Sequence, residues 1–206
     1  MKPACESLKI TLPPGKIFVL ASASPRRSRL LKKILADFHV AAAGIDEEEI
    51  LSRHTGSTPE AAARHLAEAK ASRIATGYDN ALILGSDTLV VTAGGILGKP
   101  VDAADARRIL QILSGSTHRI ITGLCLIDTG SGKSLLQSEA TSITMMAMSA
   151  EQISDYVKSG EPFGKAGAYA IQENGDQFVT HIDGNFDNIV GLPTRLTAAM
   201  IREIIS

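Results

Sequence analysis

The segment ALILGSDTLVV, residues 81–91, limits the fold of this chain more than any other stretch. Apolar residues on either side of Ser86 and Asp87 read as one buried strand interrupted by its own polar centre. Such a strand must be covered, and helical patterns alternate with apolar runs along the rest of the sequence. Ile17 to Ala21 reads as a strand feeding a helix. There Ser24 can cap, Pro25 suits the first helical position, and Leu30, Leu31, Ile34, Leu35 and Phe38 recur on one apolar face. An acidic loop, GIDEEEI (44–50), leads to a helix expected from about Pro59 to Ile74, with Ala62, Leu66, Ala69 and Arg73 roughly along one side. Gly94-Gly95 marks a turn, and Asp102 caps a helix carrying Ala106, Ile109, Leu110 and Leu113. Residues 117–127 and 133–144 form two strands around the turn TGSG, Ser149 with Gln152 spells a capping box, and the last helix starts near Thr194. The class is α/β with long strands and mixed pairing. No Pro/Gly-rich linker divides it, so a single domain is expected over 17–206 behind a short N-terminal extension, 1–16.

Asp87 is the most informative single residue. It follows ALILGS, where a strand is expected to leave the core, and strand ends in α/β sheets face ligand crevices. A carboxylate there needs a metal, a basic partner or hydrogen-bond donors; an Asp that organises a turn is the plainer reading. Glu47 offers a second acid, and two carboxylates with substrate oxygens make a Mg²⁺ site, although DEEE (46–49) equally describes a solvated loop. SASPRRSRLL (22–31) sets serine hydroxyls, helix-start amides and Arg26 or Arg27 where a strand ends, which suits an anion. These ten residues by themselves fit a capped surface helix as well. Lys99 lies between a glycine and a proline, and Lys70 sits on a helix whose other polar positions look solvated. In GEPFGKAGAYAIQ (160–172), Glu161, Lys165, Tyr169 and Gln172 can present acid, base, ring and amide to one ligand, or Tyr169 can belong to the core. His118 is a phosphate donor or, more simply, a structural histidine.

Charge removes some functions. With 21 basic and 22 acidic side chains the net charge is −1, so no global field holds long nucleic acid and any phosphate binding must be local. Neither a G-x-x-x-x-G-K-S/T loop, a Rossmann fingerprint, a Gly-x-Ser-x-Gly elbow nor zinc-ligand spacing occurs. Cys5 and Cys125 form no framework, and neither a signal-peptide segment nor a run of membrane-spanning length is present, which together suggest a cytoplasmic protein.

Eight ordered segments carry a specific resemblance: LASASPRR (20–27), GIDE (44–47), AEAKA (67–71), GSDT (85–88), LGKP (97–100), SGSTHRIITG (114–123), GEPFGKAGAYAIQ (160–172) and NIVGLP (188–193). In these the chain resembles the Maf family of nucleoside triphosphate pyrophosphatases from about residue 17 onward. The resemblance implies a Maf/ITPase-like fold, a mixed and strongly twisted sheet with flanking helices forming two lobes around a nucleotide-binding cleft. It implies hydrolysis of a nucleoside triphosphate at the α–β linkage with Mg²⁺ or Mn²⁺, and a homodimer. Carried over by motif position, Asp87 is the proton acceptor. Ser22, Arg26, Arg27, Lys70, Lys99 and Lys165 line the phosphate path, and Glu47, with Asp87, holds the metal. Arg26, Thr88 and Gln172 match positions that separate the family's substrate classes, and Thr88 with KAGAYAIQ resembles the dTTP/UTP branch. Two departures stand out: TMMAM (144–148) replaces an aromatic-Arg pair of that branch, and Gly164 replaces an Asp. The alternatives are a pyrophosphatase for 7-methyl-GTP or another modified purine, and a non-catalytic nucleotide-binding regulator of septum formation.

Overall fold

The computed structural model describes residues 8–54 and 56–206. Along the chain the elements are β1 (Ile17–Leu20), α1 (Pro25–Leu31), β2 (His39–Val40), α2 (Glu47–Arg53), α3 (Pro59–Ala75), β3 (Ala81–Thr92) and β4 (Gly95–Leu97). There follow α4 (Ala103–Leu113), β5 (Thr117–Asp128), β6 (Ser134–Met145), α5 (Ala150–Lys158), β7 (Val179–Asp183), α6 (Phe186–Val190) and α7 (Thr194–Ile205). The strands form one mixed sheet in the order β2-β1-β3-β5-β6-β7, with β4 hairpinned onto the end of β3. Parallel pairing joins β2, β1 and β3, and antiparallel pairing joins the rest. The α/β class and mixed sheet expected from the sequence are therefore present.

Side-chain alternation along β3 divides the core. Leu82, Leu84 and Val90 point into the larger cluster with Leu30 and Leu31 of α1, Ile109 and Leu110 of α4, and Ile201 of α7. Ile83, Leu89 and Val91 point the other way, against Ala62, Ala63, Leu66, Ala67 and Ala71 of α3. That face is packed unusually close. A Cβ on Gly85 or Gly123 would run into the backbone of α3 at Ala67 or Ala63, so only glycine lets this helix lie so near the sheet.

Several local expectations need correction. GIDEEEI is not a loop throughout, because Asp46 caps α2 through its bond from the Glu49 N–H, and the first turn collects the acids Glu47, Glu48 and Glu49 at the positive end of the helix. Helix α1 ends at Leu31; Ile34 and Leu35 are buried from the turn that follows it. The buried stripe of α3 runs through Ala62, Ala63, Leu66, Ala67, Lys70 and Ala71, not through Ala69 and Arg73. Asp87 lies in the middle of a continuous twelve-residue strand, not where the strand leaves the core. Of the extension expected over 1–16, residues 1–7, including Cys5, lie outside the described residues. Leu8, Ile10 and Leu12 pack on the core, and the Ile10 N–H donates to the Ile34 carbonyl at 2.8 Å. The caps at Ser24, Asp102 and Ser149 form as expected.

Candidate active site

Strand β3 has a bare stretch of edge. Its pairing with β1 covers residues 81–84, its pairing with β4 covers 90–92, and residues 85–89 face neither strand. A cleft of about 460 Å³ opens beside that gap. Because successive residues of a strand point to opposite faces, the gap is reached from both sides of the sheet. Asp87 points toward α3, while Ser86 and Thr88 point toward α1 and α6. The polar centre noted in the sequence is thus a mid-strand window into the cleft.

On the α3 side, Lys70 Nζ donates to Asp87 Oδ1 at 2.5 Å and to Glu47 Oε1 at 2.6 Å. Lys70 is 8% exposed and Asp87 6%, so this ammonium is the cation that permits the two acids to approach one another. Burial pushes the Asp87 carboxyl above its ordinary value, opposed by the charges of Lys70 and Arg27. At Glu47 burial also acts upward, but the Lys70 hydrogen bond and charge, with Lys99 and Arg27, bring the carboxyl below its ordinary value. Lys99 is 59% exposed at its side chain, with Nζ 3.7 Å from Glu47 Oε2.

On the other side, Ser24 caps α1 and Arg27 lies three residues into the turn it begins. Arg27 Nε donates to the Gly191 carbonyl at 2.9 Å, Nη1 to Ser22 Oγ at 3.2 Å and Nη2 to Thr88 Oγ1 at 3.2 Å. Three of the five N–H bonds of the planar guanidinium are thereby used on the protein, which leaves two for an anion such as a phosphate. Burial draws this guanidinium below its ordinary value against the pull of Asp87 and Glu47. Gly191 ends α6 in the left-handed region at φ 114°, where its carbonyl also accepts from Ser86 Oγ at 3.0 Å. In the sequence, the only mark of Gly191 as this anchor is its place in NIVGLP.

The structure brings Arg26, Arg27, Glu47, Lys70, Asp87, Thr88, Lys99 and Lys165 to one cleft. Ser22 is attached to it through Arg27. Gln172 is exposed and does not line it. Of the four groups expected to converge from 160–172, Lys165 and Tyr169 reach the cleft. Glu161 instead ties its own loop together, accepting from Tyr156 Oη at 2.6 Å and from the Gly175 N–H at 3.1 Å. Lys165 Nζ donates to the Glu161 carbonyl at 2.5 Å. His118 takes the structural role: it is buried, with Nε2 2.8 Å from Tyr169 Oη. The Cys125 thiol, pushed up to about 12 by burial and then by Glu68, offers no nucleophile. Among the described residues no group of three or more His, Cys, Asp or Glu is placed to hold a metal, and no helix is long and apolar enough to cross a membrane.

Five basic residues (Arg26, Arg27, Lys70, Lys99 and Lys165) line this cleft against three acidic ones (Glu47, Glu48 and Asp87), in a chain whose net charge is −1. These basic side chains line the same cleft as the buried Asp87. The family model described as Maf-like protein matches residues 17–204. The chain belongs to the Maf family. Relatives of this Maf-family chain include a dTTP/UTP pyrophosphatase of Koribacter versatilis, 43% identical over 189 residues covering 91% of this chain and 94% of the relative. The proteins of the same description from Ruminiclostridium cellulolyticum and Geobacter sulfurreducens are 44% identical over 186 residues and 45% identical over 179 residues. These alignments cover 90% and 87% of this chain and 95% and 91% of the two relatives.

Proposed function

We propose that this Maf-family chain hydrolyses dTTP and UTP at the α–β phosphoanhydride, releasing the nucleoside monophosphate and pyrophosphate. The observation that carries the reading is the cleft itself, with Asp87 buried beside Lys70 on one face of the β3 edge and Arg27 held on the other. Relatives described as dTTP/UTP pyrophosphatases supply the substrate class.

Attack of water on the α-phosphorus adds charge to the phosphoryl oxygens and leaves it on the departing pyrophosphate. The two uncommitted N–H bonds of Arg27, with Arg26, Lys99 and Lys165, stabilise that charge. Asp87 accepts the proton of the attacking water, or orients it, through the oxygen that Lys70 does not occupy. Lys70 holds the carboxylate in place and keeps Glu47 beside it. Glu47 and Asp87 would hold a hard divalent cation, since each keeps one oxygen outside the Lys70 contact. Mg²⁺ or Mn²⁺ held there supplies the positive charge that a surplus of two basic side chains lacks against a triphosphate. A cytoplasmic homodimer completes the proposal, the dimer being open to light scattering across a concentration series.

A substrate panel followed by pyrophosphate release tests the reading. With Mg²⁺ or Mn²⁺, dTTP and UTP are expected to be the preferred substrates. Strong turnover of 7-methyl-GTP with negligible dTTP and UTP turnover overturns the branch, and binding without turnover overturns the enzyme.

A further inference from the structure

We infer that Thr122, a fully buried residue of β5, is a positioning residue for this site, fixing Thr88 and through it the aim of the Arg27 guanidinium. Thr88 and Thr122 are directly opposite across the β3–β5 ladder, with their hydroxyl oxygens 3.0 Å apart. The direction of the bonds follows from proton counting. A guanidinium cannot accept, so Thr88 Oγ1 accepts from Arg27 Nη2. Thr122 Oγ1 donates its single proton to the Asn188 carbonyl at 3.1 Å. The proton between the two threonines is therefore that of Thr88, and the chain runs one way: Arg27 to Thr88 to Thr122 to Asn188.

The far end of this chain is firmly held. Asn188 is fully buried, and its Nδ2 donates to the Ile120 carbonyl and to Thr141 Oγ1, both at 3.0 Å, which ties it to β5 and β6. The near end controls one of the three contacts that orient Arg27; the other two reach Ser22 and the Gly191 loop. With its proton committed to Thr122, Thr88 has none to donate to a ligand. Its influence on the substrate passes through Arg27, and Thr122 is what decides which way the Thr88 hydroxyl faces.

This inference rests on the pyrophosphatase reading, so one of its tests does not use turnover. Thr122→Val keeps the shape and removes the relay, whereas Thr122→Ser keeps the hydroxyl. With dTTP and Mg²⁺, Thr122→Val is expected to lower kcat/KM about tenfold, as for a lost and partly unsatisfied hydrogen bond, and Thr122→Ser to stay within about twofold of the parent. In an Arg27→Lys background Thr122→Val should add less than about twofold, because the group it aims is gone. In the free protein, the guanidinium N–H resonances of Arg27 should be sharp in the parent and broadened in Thr122→Val. An equal loss in both backgrounds, or unchanged Arg27 resonances, overturns the assignment. If Thr122→Val does not fold, Thr88→Val breaks the same relay one bond nearer and is held to the same outcomes. A parent protein that releases no pyrophosphate from dTTP contradicts the functional reading instead, and the resonances still decide the aim of Arg27.

Discussion

Removing the Lys70 ammonium leaves two carboxylates facing each other, one of them 6% exposed. Lys70→Met is expected to cost about 3–5 kcal/mol at pH 7, the range for a buried pair that loses one partner. The double variant Lys70→Met/Asp87→Asn should recover most of that loss, because the buried negative charge is then gone. Urea unfolding of the two variants checks the sign, and a double variant less stable than Lys70→Met would show that Lys70 acts through packing. At His118 the charge logic runs the other way. Burial lowers its pKa from 6.5 to about 4, so the folded protein holds it neutral beside Tyr169. Between those two values the unfolded chain carries a proton that the folded one lacks. Stability from this residue is therefore complete above 6.5 and is lost as the pH falls toward 4. His118→Gln should flatten that part of the stability profile, and an unchanged slope would place the acid sensitivity elsewhere.

Helix α3 carries Lys70 to Asp87 only because it lies against glycine. Gly85→Ala puts a methyl group into the backbone of α3 near Ala67 and Ala71, on the stretch of helix that includes Lys70. We expect a loss of about 3 kcal/mol or more, at the upper end for overpacking, together with reduced turnover. Denaturant midpoints measure the first effect; a protein of parental stability would show that the helix can withdraw at little cost. The same helix marks where the sequence was legible. Strand and helix order, the caps at Ser24, Asp102 and Ser149, and the two long hairpin strands follow from periodicity and local hydrogen-bond chemistry, which nearby residues decide. The solvated look of Lys70 was misleading, since its partners lie 17 and 23 residues away and no local pattern encodes them. The acids of 46–49 looked like a loop because an all-polar helix start carries no apolar period. Asp87 looked like a strand end because the gap between β1 and β4 is a property of its neighbours, not of β3. Gln172, carried over by motif position, is exposed outside the cleft that Lys165 and Tyr169 line.

Across the molecule, a nearly neutral chain sets five of its 21 basic side chains against three acidic ones where the sheet edge is open. That local cluster of charge fits a small polyanion. We propose that the buried carboxylate at this opening drives cleavage of the α–β linkage. This role is tested most directly by measuring pyrophosphate release from dTTP and UTP under saturating Mg²⁺, in the parent and in Asp87→Asn. Asparagine keeps the size and still accepts from Lys70 while removing the charge. This role of Asp87 predicts pyrophosphate and monophosphate in equal amounts from the parent, and a folded Asp87→Asn protein slower by at least about 100-fold, the lower range for lost general-base assistance. Near-normal pyrophosphate release by the folded variant would contradict it.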